Sequence, residues 1–181
     1  LLASLGTVSA RMGKLHTDAQ TDPLTGLGNR RGLDALLRSW QELNRDFAVI
    51  SLDIDLFKGI NDTYGHDVGD QVIRSVGEWM RAQARQGDAL FRMGGEEFLA
   101  LLPDVDLEHA AGIAERLRAS IADAPILPQR PITVSVGVAI RMGGAADAAL
   151  KAADQALYCA KQEGRNRVVI AGQEQAEGPV H

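Results

Sequence analysis

The sequence predicts an α/β sandwich, in α+β arrangement, in which helices surround a central mixed sheet of about five strands. Short apolar runs rich in Val and Ile alternate with longer amphipathic segments, as in strands separated by helices. Two of the apolar runs are joined by Gly94-Gly95, which is typical of a β-hairpin. The hairpin adds antiparallel pairing, so the predicted sheet is mixed. A length of 181 residues with 45% hydrophobic residues fits one domain.

The first segment, residues 1–21, is predicted to be the N-terminal helical stalk, the end of a signalling or coiled-coil helix. Apolar residues recur there at alternating spacings of four and three, as in two helices wound together: Leu1, Leu5, Val8, Met12, Leu15 and Ala19. The alternative is an amphipathic helix packed on its own domain. Asp22-Pro23 ends the helix, because a residue before proline avoids the α region. The chain starts at Leu1 without methionine, so we expect a piece of a longer protein.

The domain proper is predicted to cover residues 22–170. Apolar residues at helical spacing, such as Leu33, Leu37 and Trp40, mark its helices. The predicted helices are 30–44, 68–84, 107–121 and 145–163, and the predicted strands are 47–52, 89–93, 97–102, 132–140 and 168–170. Gly164 follows the last helix at the usual left-handed position. The polar tail, 171–181, is predicted to be disordered.

Composition and charge exclude several classes of protein. The formal charge is −5, from 19 Lys and Arg against 24 Asp and Glu, which disfavours binding to nucleic acid. The single cysteine, Cys159, excludes an internal disulfide and fits a reducing compartment. No apolar run approaches the roughly 18 residues that span a bilayer. We therefore expect a cytoplasmic piece without membrane contact, with any membrane anchor lying upstream.

Acidic residues follow two predicted strands. Asp53 and Asp55 lie at the carboxyl end of the first strand, and Glu96 and Glu97 lie just past the Gly-Gly turn. If the two strands are neighbours, about 4.8 Å apart, one acid from each converges on a shared divalent ion. Mg²⁺ suits such a site, because it takes one or two carboxylates and leaves other positions to water and phosphates. The alternative is that each acid is a solvated strand end.

Three basic residues could bind phosphates beside such a metal ion. Lys58 follows the first strand, and Lys161 and Arg165 flank the end of the last helix. Point charges and planar guanidinium groups are what a triphosphate needs beside magnesium. Lys161 has a structural alternative, because a lysine in the last helical turn is favoured by the helix dipole.

The polar stretch 59–70 is predicted to be a loop between the first strand and the second helix. It contains Asn61, Asp62, His66 and Asp70. An amide and a carboxylate together can read a guanine edge, and they can equally form Asx turns and a helix N-cap. His66 is either a general base or a structural loop residue.

A second charged group surrounds the start of the hairpin. Arg85 and Asp88 precede it, and Arg92 lies on its first strand. Two arginines and an aspartate either bind a second anionic ligand or form a surface ion pair. Fingerprints of serine hydrolases, zinc peptidases, P-loop proteins and dinucleotide-binding proteins are absent from the sequence.

Four ordered motifs, two of which consist of a pair of runs, together resemble the diguanylate cyclase family. The run Gly94-Gly95-Glu96-Glu97-Phe98 is similar to its GG(D/E)EF motif, here in the GGEEF form. The other matching runs are DPLTGLGNRR at 22–31, DIDLFK and NDTYGH at 53–58 and 61–66, and ADQALY and KQEGRN at 153–158 and 161–166. The resemblance covers about residues 22–170 and implies the palm-like fold of nucleotidyl cyclases.

The resemblance implies an enzyme that joins two GTP molecules into cyclic di-GMP and releases two pyrophosphates. Each protomer of a homodimer would bind one GTP, and the 3′-hydroxyl of one would attack the α-phosphorus of the other. The family also implies Mg²⁺, two ions per site with Mn²⁺ as a substitute, and an upstream sensor or receiver domain. The alternative is a catalytically weak module that binds cyclic di-GMP or dimerises.

The family's site residues carry over position by position. Asp53 and Glu96 would hold the metal, with the Ile54 carbonyl as a further ligand. Glu97 would either support deprotonation of the 3′-hydroxyl or order the site. The implied substrate-binding residues are Asn61 and Asp70 for guanine, Lys161 and Arg165 for the β- and γ-phosphates, Lys58 and the backbone of Leu56 and Phe57 in support, and Gly94 and Gly95 for close approach at the hairpin.

The resemblance also implies an inhibitory site. Five residues separate Asp88 from Gly94, the family's spacing for an RxxD site, which here begins at Arg85. This favours a ligand site over the ion pair. Product bound there, with Arg92 from a neighbouring surface completing the site, would hold two active sites apart. Such coupling requires that product bind the unproductive arrangement more tightly.

Overall fold

The computed structural model describes residues 19–173. Most of the predicted stalk, 1–21, and most of the predicted disordered tail, 171–181, lie outside the described residues. At the start of the tail, the N–H of Ala171 donates to the carbonyl of Val138 at 2.7 Å.

The described residues form five helices and five strands; the five strands and four of the helices follow the predicted order, and the helix Phe57–Tyr64 is an addition. The helices are α1 (Arg30–Glu42), α2 (Phe57–Tyr64), α3 (His66–Gln83), α4 (Leu107–Asp123) and α5 (Ala146–Gln162). The strands are β1 (Phe47–Ile54), β2 (Ala89–Gly94), β3 (Glu97–Pro103), β4 (Val134–Arg141) and β5 (Val168–Ile170). None of the helices within residues 19–173 is long and apolar enough to cross a bilayer.

The strands form one mixed sheet, as predicted. Their order is β2-β3-β1-β4-β5, with β1 at the centre. β1 pairs antiparallel with both β3 and β4, whereas β4 pairs parallel with β5. All eight residues of β1 are buried, which explains why its sequence is apolar almost throughout instead of alternating.

Helices cover both faces of the sheet and create two layers of core. Ile50 and Leu52 of β1 belong to the cluster that includes Val76 of α3 and Ile121 of α4. The alternate residue Val49 belongs to the cluster of α1 and α5, which includes Leu33, Trp40 and Ala153. Successive side chains of β1 thus pack into two different core clusters. The carboxyl end of the strand, which contains Asp53, lies between the two layers.

The stretch 59–70 differs from its prediction as a loop. Its first half, 59–64, belongs to α2. The next helix, α3, begins at His66, so this histidine is the first residue of a helix and not a loop residue. Phe57 and Ile60 are buried at helical spacing and anchor α2 to the core. Gly65, at φ +91°, separates the two helices. The exposed polar residues of α2, among them Lys58, Asp62 and Thr63, form its outer face.

Arg141 joins two loops at the end of β1 that is remote from the acidic residues. Its side chain is 4% exposed. It donates to the carbonyls of Arg45 (3.0 Å) and Gly144 (2.7 Å), and to side-chain oxygens of Asn44 (3.1 Å) and Asp46 (3.2 Å). One buried guanidinium thus satisfies acceptors from both loops.

We expect Arg141→Met to lower the free energy of unfolding by about 2–4 kcal/mol, because the substitution removes the four hydrogen bonds that the buried guanidinium donates to the two loops. Urea unfolding followed by tryptophan fluorescence measures the change. Arg74→Met is the matched control, since Arg74 is exposed on α3 and its loss should cost under about 0.5 kcal/mol. Equal losses in the two variants would contradict this role for Arg141.

Candidate active site

Acidic residues of two neighbouring strands meet at one edge of the sheet. Asp53 lies directly opposite Glu97 in the antiparallel pairing of β1 with β3. Next to this pair, the N–H of Ile54 donates to the carbonyl of Glu96 at 3.2 Å. The two strand ends are therefore adjacent, as the convergence of the acids requires.

Asp53 is the buried member of this acidic group. Its side chain is 7% exposed, and Oδ2 accepts a hydrogen bond from Nζ of Lys161 at 2.6 Å. Burial raises the pKa of Asp53 to about 6; the Lys161 ammonium opposes this rise, and the nearby Glu96 and Glu97 add to it. The site thus carries more negative charge than Lys161 neutralises, and a further cation would stabilise the carboxylate.

The donor set suits Mg²⁺. Within residues 19–173, no three His, Cys, Asp or Glu side chains are grouped so that they could hold a metal ion by themselves. Mg²⁺ does not need such a group, because it is commonly held by one or two carboxylates together with water and substrate phosphates. Asp53 and Glu96 meet this requirement, and the carbonyl of Ile54 lies in the same backbone segment.

Asp55, the other aspartate of this strand end, has a different environment. Its carboxylate accepts hydrogen bonds from the hydroxyls of Thr133 (2.7 Å) and Ser135 (2.6 Å) and from the N–H of Asn166 (3.0 Å). These bonds join β1 to β4 and to the segment before β5. Of the two aspartates, Asp53 is therefore the one that lies with the glutamates, and Asp55 supports the surrounding backbone.

The turn between β1 and α2 has an unusual backbone. Leu56 adopts φ +54° and ψ +34°, a left-handed conformation that costs a non-glycine residue about 1 kcal/mol or more. Its side chain is exposed, whereas Phe57 is anchored in the core. The turn presents the N–H groups of Phe57 and Lys58, whereas the N–H of Gly59 donates to the carbonyl of Leu56 at 3.0 Å. Such N–H groups at a helix start favour anions. Exposed Lys58 lies on this first turn.

The predicted guanine-reading residues lie on two consecutive helices, Asn61 on α2 and Asp70 on α3, and both are half-buried. Gly69 packs against Asn61 so closely that a Cβ atom at Gly69 would lie 1.9 Å from Asn61 Oδ1. The same Cβ would lie 3.2 Å from the ring of Phe57. Gly69 thus makes room for the Asn61 amide beside Asp70.

Both glycines of the predicted hairpin turn have positive φ angles. Gly94 has φ +149° and Gly95 has φ +50°. A Cβ at either position would meet nothing within 4 Å, so backbone conformation and not internal packing requires glycine here. The register of the hairpin shifts between Arg92 and Gly94.

Arg85 and Asp88 lie together before the hairpin. Asp88 accepts hydrogen bonds from the N–H of Arg85 at 2.8 Å and from its guanidinium at 3.3 Å. The Asp88 side chain is 2% exposed and that of Arg85 is 54% exposed. Asp88 therefore shapes the turn, and the Arg85 guanidinium is accessible to a ligand.

Arg92 has different partners within its own chain. Its guanidinium donates to Asp22 at 3.0 Å and to the carbonyl of Gly95 at 2.9 Å. Arg92 therefore ties the turn at the start of the domain to the hairpin and does not join Arg85 and Asp88 in the same chain.

Arg116 of α4 is not among the residues predicted from the sequence. It lines a cavity of about 670 Å³ together with Arg85, Glu108 and His109. The two arginines are 31 positions apart in the sequence and belong to different elements. A single arginine on the outer side of an amphipathic helix carries no local signal, so only the fold reveals the pair.

The family comparison agrees with this geometry. The family model described as "Diguanylate cyclase, GGDEF domain" matches residues 19–167. The chain belongs to the GGDEF domain family of diguanylate cyclases.

Relatives of this GGDEF domain include named diguanylate cyclases. DgcM of Escherichia coli K12 is 41% identical over 163 residues, which cover 87% of this chain and 40% of DgcM. DgcP of Pseudomonas aeruginosa is 45% identical over 163 residues, covering 84% of this chain and 24% of DgcP. The chain thus spans less than half the length of these two relatives.

A solved structure extends the similarity to the whole fold. The coiled coil and GGDEF domain of DgcB from Caulobacter crescentus, in complex with c-di-GMP, matches with a TM-score of 0.86 and 34% identity. The match covers 94% of this chain and 95% of the DgcB chain. This confirms the predicted sheet of five strands surrounded by helices as a GGDEF fold.

Proposed function

We propose that this GGDEF domain is an active cyclase that condenses two GTP molecules into cyclic di-GMP and two pyrophosphates at the interface of a homodimer. The observation that carries the proposal is the meeting of Asp53, Glu96 and Glu97 at one edge, with Lys161 bound to Asp53 at 2.6 Å. A group of carboxylates beside an ammonium supports the proposal, because a metal-bound triphosphate needs both charges.

The base and the phosphates of GTP would be bound at opposite sides of the acidic edge. Asn61 and Asp70 offer an amide and a carboxylate to the guanine edge. On the phosphate side, Lys161 and Arg165 would bind the β- and γ-phosphates. Lys58 and the free N–H groups at the start of α2, near Leu56, would add to this binding.

Asp53 and Glu96 would hold Mg²⁺, which polarises the phosphate and lowers the pKa of the attacking hydroxyl when bound. On binding of the triphosphate, Lys161 would exchange its bond with Asp53 for phosphate oxygens. Glu97 lies opposite Asp53 and would accept the proton of the 3′-hydroxyl or orient the group that does. Gly94 and Gly95 keep the hairpin free of side chains where the nucleotide approaches.

A dimer follows from the chemistry of the proposed product. Cyclic di-GMP contains two phosphodiester bonds, each formed when the 3′-hydroxyl of one GTP attacks the α-phosphorus of the other. One protomer holds one GTP, so two protomers must face each other during the reaction. The greater length of DgcM and DgcP suggests that an upstream sensor or receiver domain controls this pairing.

Incubation with GTP and Mg²⁺, with products separated by chromatography and identified by mass, tests the proposed activity. We expect cyclic di-GMP and pyrophosphate in a ratio of one to two. Absence of product at every protein concentration, together with tight binding of cyclic di-GMP, would instead indicate a binding module.

Product inhibition would act through the cavity beside Arg85. The DgcB structure with c-di-GMP supports the proposal that this domain also binds the product. Two phosphates of one ligand match two arginines, so we propose that Arg85 and Arg116 share it, with Arg92 available only from another chain.

We expect Arg85→Ala to weaken cyclic di-GMP binding by about tenfold or more, because one charge-assisted contact is worth about 1.5–3 kcal/mol. Calorimetry measures the affinity, and progress curves should continue to higher product levels than those of the unmodified domain. Arg38→Ala, an exposed arginine on α1, is the control. Unchanged affinity in Arg85→Ala would overturn this site.

A further inference from the structure

The segment after α5 holds three consecutive residues with positive φ angles. They are Gly164 (+119°), Arg165 (+65°) and Asn166 (+46°). Glycine adopts such angles freely and asparagine tolerates them, but they are disfavoured for an arginine. Arg165 and Asn166 therefore need external contacts that keep the backbone in this form.

Two residues from other elements supply these contacts. The carboxylate of Asp55, buried at the end of β1, accepts the N–H of Asn166 at 3.0 Å. The guanidinium of Arg118, on α4, donates to the side-chain oxygen of Asn166 at 2.7 Å. Asn166 is thus bound on its backbone and on its side chain, by groups 111 and 48 positions away in the sequence.

Arg118 is itself oriented before it reaches Asn166. Glu115, one helical turn earlier, accepts two hydrogen bonds from the same guanidinium. This pairing raises the pKa of Arg118 above its usual value, so the residue stays charged. A two-point contact with Glu115 leaves the third edge of the guanidinium directed at Asn166. The side chain is only 19% exposed, which limits competition from water.

We propose that Arg118 and Asp55 are positioning residues for Arg165, because they hold Asn166 and so fix the backbone from which Arg165 extends toward the β- and γ-phosphates of GTP. This inference rests on the proposed function, in which Arg165 binds those phosphates. It predicts that a residue on α4, outside the site, selectively controls affinity for the triphosphate.

The test compares affinities for two guanine nucleotides by calorimetry. The probes are guanosine 5′-(α,β-methylene)triphosphate, which the proposed reaction cannot cleave, and GMP, which lacks the β- and γ-phosphates. We expect Arg118→Met to weaken binding of the triphosphate about tenfold while changing GMP binding by less than about twofold, since loss of one oriented cationic contact costs about 1.4 kcal/mol. Arg74→Met, on exposed α3 surface, should leave both affinities unchanged.

A second variant keeps the test independent of folding. Asn166→Gly removes the side-chain acceptor but retains a residue that adopts positive φ freely. It should reproduce the selective loss, and the double variant with Arg118→Met should lose no more than either single variant. Equal loss of both nucleotides, no loss in Asn166→Gly, or additive losses would overturn the inference.

Binding and turnover separate this inference from the proposed function. If the domain forms no cyclic di-GMP but the selective loss occurs, the proposed function fails and the positioning role stands. If Arg165→Met does not weaken binding of the triphosphate relative to GMP, Arg165 has no phosphate role and the positioning inference fails, whether or not product forms.

Discussion

Glu96→Ala should reduce cyclic di-GMP synthesis by at least about a thousandfold, because it removes one of the two carboxylates available to Mg²⁺. Each 1.36 kcal/mol of lost transition-state stabilisation lowers the rate by a factor of about ten. Asp53 would remain, but one carboxylate bound to Lys161 at 2.6 Å is a poor site for a divalent ion. Initial rates of product formation with saturating GTP and Mg²⁺ measure the loss.

The same variant should keep its affinity for cyclic di-GMP. Arg85 and Asp88 contact each other in the turn before β2, whereas Glu96 lies beyond that strand at the hairpin. Glu78→Ala, an exposed glutamate on α3, is the control for the loss of a surface charge. Loss of synthesis and of product binding together in Glu96→Ala would contradict the existence of two separate sites.

Gly69→Ala should raise the KM for GTP by about 10- to 100-fold, because loss of oriented hydrogen bonds to the base costs about 1.5–3 kcal/mol. The new Cβ would overlap Asn61 Oδ1, which lies 1.9 Å from its position. The end of a side chain moves more easily than a helix, so the amide should turn away from the base while α3 keeps its backbone. Steady-state kinetics with GTP measure the change.

Gly77→Ala is the matched control for this prediction. Gly77 is also a buried glycine of α3, but its Cβ would meet Thr25 and Leu27 at ordinary distances of 3.4 Å or more. Alanine has the higher helix propensity, by about 1 kcal/mol, so neither variant should unfold. Equal KM values for the two variants would show that Gly69 does not control Asn61. In the background of Asn61→Ala, Gly69→Ala should have little further effect.

Most of the fold was predictable, because its elements carry local signals. The central strand is an apolar run, and the hairpin is two apolar runs joined by two glycines, both of which have positive φ. α2 escaped prediction, because its two buried anchors, Phe57 and Ile60, stand in a polar run of eight residues that ends at a glycine. In such a short helix the outer face dominates the composition.

The site was predictable only where its residues lie in short sequence motifs. The sequence predicts that Asp53 lies beside the glutamates if β1 and β3 are neighbours, and the two strands are paired in the structure. The different environment of Asp55 did not follow from the sequence. Its partner Thr133 lies just before β4 and its partner Ser135 lies on β4, 78 and 80 positions away. The pairing of Arg92 with Asp22 spans 70 positions, and the cavity shared by Arg85 and Arg116 depends on helix packing. Such long-range contacts have no local sequence signal.

The most direct test of the central claim is the initial rate of cyclic di-GMP formation as a function of protein concentration, at saturating GTP and Mg²⁺. A site completed by two protomers predicts that the rate per protomer rises with protein concentration until dimers predominate. The rate per protomer should then become constant, and it should decline over time as product accumulates. Product formation at a rate per protomer that stays constant down to concentrations at which light scattering detects only monomers would contradict the account.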